Sequence, residues 1–497
     1  MKITQLYVYP IKALRPIPLQ HAQLTPQGIK YDRTFMLYHI KTKPSDGSTE
    51  LKKMQLSSYP SCALFEQTIL SREDGSKEVL VKWHAPASVP VGVEGGEGGE
   101  EGLEQAEREK QKRLEAETIT VSLDPPPRIE ELERLEVDLH GSPTTCYKVG
   151  EEYDRWFSER FGFQVVFVYL GDGKRQILGT SLLPPPSASR TSTHNSTASS
   201  RRQSGQSTPQ QQQQPPQQPG TSTGSSWLST LTSLTSWFPT VPISVPGYIA
   251  IQSDHKDHHH EEEESKPWIT FTDVAPLLIT SESSLSNLSA RLAPEPTTTS
   301  PSSPQSSKPK AEVPMYKLRP NLVLDGAGEE AWAEDYWGEL VITSSSPSPP
   351  SSPPSPVSSP SPSSSVSSPP SKKTKTKTKL HLTGNCARCT SLNVDYDTGK
   401  PAKGEMGTVL KKLMKDRRVD PGMKWSPVFG RYAFVGGTES FGEEEGDGEG
   451  GQLGQEEGEG GEREGEGEEE KEVWVSVGDE VVVTKRNEER TVMDWPF

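Results

Sequence analysis

No stretch of this chain approaches about 18 consecutive apolar residues, so the sequence offers no helix able to span a bilayer. Cysteine is scarce. Cys62, Cys146, Cys386 and Cys389 are the only four in 497 residues, too few for a disulfide scaffold, which points to a reducing, cytosolic compartment. Apolar residues make up only 31%, against 42 Gly and 45 Pro, so long tracts cannot bury enough surface to offset chain entropy. With those tracts set aside, roughly 280–300 residues remain, about two modest domains where length alone suggests three. A basic excess is absent too, and with it any nucleic-acid footprint. The net charge is −16, but residues 443–472 hold 15 Asp/Glu against 2 Lys/Arg, so 13 of those charges belong to one Glu/Gly tract. The N-terminus runs from Met1 to Pro10 as a strand; its apolar run is too short for a signal peptide and Pro10 ends it.

What is present reads mainly as β-structure. Residues 3–9, 19–24, 34–38 and 79–83 are strand-like and separated by turns, a spacing that suggests a small barrel or sandwich. Residues 91–117 form a charged, exposed insertion with a solvated helix, and 119–123 resume the strands. Aromatic residues at three- to four-residue intervals predict a helix over 147–163, and 164–170 read as a buried strand. Residues 184–267 are a Ser/Gln/Pro-rich linker expected to be disordered. Inside it, 227–238 carry apolar residues at helical spacing and are expected to dock on the protein's own surface, with a weak membrane or partner contact as the sharper reading. The adjacent His/Glu tract reads as solvated linker. A second folded region spans 268–485. It opens towards a capped amphipathic helix (Ser281, then Leu285, Leu288 and Leu292), carries a further short helix over 407–414, and is broken by low-complexity insertions at about 293–312, 344–379 and 438–471.

Asn385-Cys386-Ala387-Arg388-Cys389, followed by Val394-Asp395-Tyr396-Asp397-Thr398-Gly399, is the stretch with chemistry in it. Its two cysteines have four readings. They could be half a zinc site, but no second paired motif supplies the other ligands. A dithiol redox pair wants a helix after the first cysteine, whereas Thr390 to Val394 favour strand or turn. They could be small buried hydrophobes, a reading that suits Cys386. Or one thiolate ligates a soft metal centre, with Arg388 beside it for negative charge.

Tyr9-Pro10-Ile11-Lys12 and Tyr31-Asp32-Arg33 resemble the N-terminal β-barrel domain of MOSC proteins. Arg319-Pro320-Asn321, Cys386-x-x-Cys389 with Val394-Asp395-x-Asp397-Thr398-Gly399, and Ser426-Pro427-Val428-Phe429-Gly430-x-Tyr432 resemble the MOSC domain, which is related to the C-terminal part of molybdenum cofactor sulfurase. Within that family the chain looks like the mitochondrial amidoxime-reducing components. The resemblance covers about 1–180 and 268–485, excluding insertions. It implies a mainly β protein: a β-barrel MOSC core with a few helices, a smaller N-terminal β-rich domain, and long disordered insertions.

It also implies a molybdenum–pterin cofactor whose metal takes two dithiolene sulfurs and one protein thiolate. Cys389 aligns with that ligand, and Asp395 with a residue that orients the site or starts the turn. Lys12 and Arg33 align with cofactor contacts in the first domain; Ser281, Arg319, Asn321 and Arg388 align with contacts in the second. Bland alternatives stand beside these: loop charges for Lys12 and Arg33, a carboxylate partner for Arg319, and a helix cap for Ser281. Ala13 stands where relatives often carry Ser, so a hydroxyl contact is lost there. The relatives carry a membrane anchor before the first strand, and this sequence begins directly at that strand. The implied activity is reduction of N-hydroxylated compounds with electrons from a b-type cytochrome and flavin reductase; the expected location is cytoplasmic, with mitochondrial association as the alternative. Two other functions fit the resemblance. One is sulfur transfer through a Cys389 persulfide, with no pyridoxal-phosphate domain expected in this chain. The other is a non-enzymatic cofactor carrier.

Overall fold

The computed structural model describes residues 1–87, 101–184, 266–292, 312–345, 374–442 and 472–496. Seven strands close a barrel: β1 (Lys2–Val8), β2 (Leu277–Ser281), β3 (Leu322–Asp325), β4 (Trp337–Ser345), β5 (Thr374–Ala387), β6 (Val428–Gly442) and β7 (Glu480–Arg486). Their order around it is β3-β2-β6-β5-β4-β7-β1, and β1 returns to β3. Alternation turns Ile3, Leu6 and Val8 of β1, Leu340 and Ile342 of β4, and Leu380 and Leu382 of β5 into one buried core with Trp337. Only β2 and β3 run parallel, and α3 (Glu282–Ala290) comes directly after β2 in the crossover. Gly430 sits at φ +80°, where an added Cβ would meet the Ile279 carbonyl at 2.8 Å, so only glycine lets β6 approach β2 there.

The N-terminal segment does not keep its first strand to itself. β1 pairs antiparallel with β3, Lys2 opposite Asp325 and Leu6 opposite Leu322. Late in the chain, Val473–Ser476 pairs with His21–Thr25. The segment also builds a five-stranded sheet (Glu133–Leu139, Ser142–Lys148, Val165–Tyr169, Phe35–Thr42, Thr49–Lys53) and a three-stranded one (Phe65–Ser71, Lys77–Trp83, Thr118–Asp124). Helix α2 (Glu151–Phe161) joins them, its Phe157 ring 5.6 Å from Phe65 of one sheet and 5.1 Å from Phe167 of the other. This helix starts at Glu151 and not at Tyr147, because Tyr147 still belongs to a strand and Gly150 turns the chain. Helix α1 (Glu101–Ala116) fills the expected charged insertion, and α4 (Val409–Met414) lies where a helix was expected over 407–414.

Two expected insertions, 344–379 and 438–471, are too wide, because strands run into both. The Lys/Thr run is strand: Lys375 to Lys379 pair with Val341 to Ser345 on one side, and Thr374 to Thr378 pair with Thr438 to Gly442 of β6 on the other. Low complexity hid a period of two, in which Lys375, Lys377 and Lys379 are exposed while Thr378 and Leu380 are buried. The segment 227–238 and the His/Glu tract lie outside the described residues. Among the described residues no helix is long and apolar enough to cross a membrane.

Two buried hydrogen-bond networks, each built on arginine, tie the segments together. Arg175 donates to the carbonyls of Leu139 (2.7 Å), Thr270 (2.8 Å) and Thr272 (2.6 Å), so residues on either side of 185–265 meet at one guanidinium. Asp335, fully buried, accepts from Arg417 Nη2 (2.7 and 2.8 Å) and Arg490 Nε (2.8 Å), while Arg431 donates to its carbonyl (3.1 Å). Removing one member of such a network strands the other's charge. Asp335→Ala should lower unfolding free energy by about 3–5 kcal/mol, read as a lower urea midpoint at unchanged slope. A loss below about 1 kcal/mol would show that Arg417 and Arg490 find water instead.

Candidate functional site

Because β1 and β3 pair antiparallel, the residues leaving β1, Tyr9 to Ala13, lie beside those entering β3, Arg319 to Asn321. Between them opens a cleft whose lining comes from both segments and includes Lys12, Arg33, Arg319, Asn321, Arg388 and Cys389.

Tyr9 is the anchor. Its ring is buried, its hydroxyl donates to the Pro320 carbonyl at 3.0 Å, and the guanidiniums of Arg33 and Arg319 lie over it at 4.5 and 4.4 Å from the centroid. Burial raises its hydroxyl pKa beyond the ordinary tyrosine range, so the ring stays neutral beneath the two cations. Arg33 also pairs with buried Asp32 and donates to Asn321 Oδ1 at 3.2 Å. Asn321, fully buried, accepts from Leu278 N (3.1 Å) with that same oxygen and donates to the Tyr7 carbonyl (3.3 Å). Arg319 Nη1 donates to the Leu14 carbonyl at 2.8 Å. Lys12 Nζ donates to the Phe271 carbonyl (2.8 Å) and meets Asp273 Oδ1 at 2.5 Å. Burial lowers the Lys12 ammonium to about 8, although Asp273 works the other way.

The two cysteines face different surroundings. Cys386 is buried, takes an N–H from Arg388 Nη1 at 2.9 Å and donates to the Tyr432 hydroxyl at 3.2 Å. Arg388 is further held by the Leu318 carbonyl, and its own N–H bonds to the Pro427 carbonyl at 2.8 Å. Cys389 is exposed, precedes the short 3₁₀ turn Thr390–Asn393, and has the Ser391 hydroxyl at 3.2 Å. Among the described residues no group of three or more His, Cys, Asp or Glu could hold a metal, so the zinc reading has no ligand set there.

Two expected site residues are not brought to the cleft. Ser281 is buried as the cap of α3, its hydroxyl accepting from Ser284 N at 3.4 Å, which is the bland reading of that residue. Asp395 accepts from the N–H groups of Asp397 (2.9 Å) and Thr398 (3.0 Å), so it builds the turn after the 3₁₀ segment and does not line the cavity.

The residues that sequence reasoning passed over are Thr272, Asp273, Gln55 and Tyr432, which line the cleft, and His140 behind them. The Thr272 hydroxyl is buried with no hydrogen-bond partner among the described residues. Asp273 had a legible signal, since it is the only charged residue in the apolar run 268–279. Tyr432 closes the Ser426-to-Tyr432 motif, while Thr272, Gln55 and His140 had no such signal. Backbone strain marks the same place: among the seven non-glycine residues at positive φ in the described part of the chain, Ala13 (73°), Arg33 (52°) and Arg319 (52°) line the cleft, and His140 (61°) lies next to Asp273.

The chain matches the family model of the MOSC N-terminal beta barrel domain over residues 1–92 and that of the MOSC domain over 266–356 and 371–482. It is 27% identical over 171 residues to the human protein named mitochondrial amidoxime-reducing component 1, and 25% identical over 172 residues to the mouse protein of that name. The match covers 34% of this chain and 34% of each relative, so the chain spans about a third of the length of the curated relatives it matches.

The cations lining the cleft favour an anion there, and Lys12 is the one whose charge changes near neutral pH. Below about pH 8 the ammonium is charged and above it neutral, so sulfate affinity should fall as pH rises from 7 to 9. Lys12→Arg, which stays charged, should flatten that profile in isothermal titration; a wild-type affinity constant across the window would refute it.

Proposed function

Because the chain carries a MOSC N-terminal β-barrel domain followed by a MOSC domain, we propose that the cleft holds a molybdenum–pterin cofactor and that the protein reduces N-hydroxylated compounds. The observation that carries this reading is the pairing of one exposed thiol, Cys389, with four cations in the same cleft. The donor set fits the group. A single soft thiolate suits a metal whose remaining ligands arrive with a dithiolene, and among the described residues no all-protein ligand set completes it. Lys12, Arg33, Arg319 and Arg388 suit a phosphate, for which fixed guanidiniums are the preferred partners. The unpartnered Thr272 hydroxyl is a further polar group waiting for a ligand.

When bound, the cofactor supplies a two-electron centre for cleaving an N–O bond. The chain's own residues do the rest. Cys389 presents its sulfur from a turn held by the Arg388 N–H and the 3₁₀ segment, so the ligand is positioned by backbone. Arg33 and Arg319, fixed on Tyr9, set positive charge at a defined orientation before anything binds. The overall change consumes two electrons and two protons, giving the N–H compound and water. The sequence has no evident dinucleotide or haem motif, so the electrons come from a partner, in this reading a small b-type cytochrome served by a flavin reductase.

Wild-type protein should carry molybdenum and pterin near one equivalent, and should reduce benzamidoxime with an artificial reductant. Cys389→Ser should lose most of its molybdenum and at least about a hundredfold in activity, more than the loss typical of a residue one shell further out. Equal molybdenum in both proteins refutes the ligand assignment. Inactivity of fully loaded wild type refutes the reductase, and a persulfide on Cys389 in molybdenum-poor protein would point to sulfur transfer.

A further inference from the structure

Asp273 is the one acidic side chain among the residues lining the cleft, and the proposed reduction gives it no task. A carboxylate facing a bound phosphate would weaken binding, so it must face something else. Its Oδ1 is occupied, with Lys12 Nζ at 2.5 Å and His140 Nε2 at 3.4 Å. Its Oδ2 accepts no hydrogen bond from the described residues, and 53% of its side-chain surface is open. Burial opposes its ionisation, but Lys12 and then His140 outweigh that and hold the carboxyl well below the ordinary carboxylate range.

The group is also rigidly mounted. The Thr272 carbonyl accepts from Arg175 (2.6 Å), the Phe271 carbonyl accepts from Lys12 (2.8 Å), and the Phe271 N–H donates to the Arg33 carbonyl (2.9 Å). His140 is itself steadied by Gln55 Nε2 at 3.0 Å. An ionised carboxylate is an acceptor only, and its bonds to N–H groups are among the stronger ones available.

We propose that Asp273 Oδ2 is a specificity-determining acceptor for an amidine-type edge, an N–C–N unit with N–H donors, that enters the cleft. This rests on the proposed cofactor and reaction. Two molecules carry that edge: an amidoxime or N-hydroxyguanidine substrate, and the 2-aminopyrimidinone rim of the pterin. In either case Lys12 and His140 act as positioning residues, holding Oδ1 so that Oδ2 points at the ligand.

The test compares wild type with Asp273→Asn, an isosteric change that keeps an oxygen for Lys12. Molybdenum and pterin content, thermal midpoint, and KM for benzamidoxime and for benzhydroxamic acid, which lacks the N–C–N edge, are measured on the same preparations. If the substrate is read, pterin stays full, KM for benzamidoxime rises about tenfold and KM for benzhydroxamic acid is unchanged, as loss of a hydrogen bond to a charged group requires. If the pterin is read, pterin content falls at an unchanged thermal midpoint. Full pterin with both KM values unchanged, or both raised equally, overturns the proposal. Benzamidine affinity by calorimetry supplies a readout independent of turnover, expected to drop about tenfold in the variant. An unchanged affinity again overturns the proposal. Should wild type contain neither molybdenum nor pterin, the cofactor reading fails while the benzamidine result still decides Asp273. Asp273→Glu, which keeps the charge and shifts it by one methylene, serves in the same assays if the Asn protein does not fold; unchanged KM and benzamidine affinity there would likewise overturn the assignment.

Discussion

The pairing of Lys2–Val8 with Leu322–Asp325 is the constraint on which the molecule depends. It closes the barrel, and because it is antiparallel it brings the exit of one strand to the entrance of the other. Tyr9 thereby meets Pro320, and Arg33, whose N–H bonds to the Tyr9 carbonyl at 2.8 Å, is carried to within reach of Asn321. Two cations from sequence positions 286 residues apart come to share one ring. Nothing mobile is needed to assemble the charged wall of the cleft, since the barrel does it when it closes.

The wall is held under strain. Ala13, Arg33 and Arg319 occupy the left-handed region, where a side chain costs roughly 1–3 kcal/mol. Tyr9 stacking, the Asp32 pair and the hydrogen bonds of Asn321 offset that cost locally. The two networks at Arg175 and Asp335 support it from further off. The aromatic packing around Phe65, Phe157 and Phe167 belongs to the N-terminal sheets.

Much of this was legible in the residues, and the gaps have physical causes. Strands with alternating burial, the Ser281-capped helix and the six charged, amide and thiol residues of the cleft could be read because each rests on a local pattern or a motif. Ser281 and Asp395 belonged to the same motifs, yet their side chains serve a helix cap and a turn, a choice made by the backbone around them. Asp273 and His140 gain meaning only through a contact between residues 133 positions apart, which no local pattern records. The Lys/Thr strand was hidden by composition: polar residues at a period of two look like a tract until two neighbouring strands pair with them.

The Arg175 guanidinium has one more consequence. It grips carbonyls at Leu139, Thr270 and Thr272, and Arg175–Gln176 pairs with Trp268–Ile269. The chain therefore leaves for residue 185 and comes back from 265 through a stapled gate. Where Thr272 and Asp273 sit is decided by that staple and not by the length of the chain between. Closure entropy grows only slowly with loop length, so the intervening sequence is free to lengthen, shorten or change composition while the chemistry beside it keeps its shape.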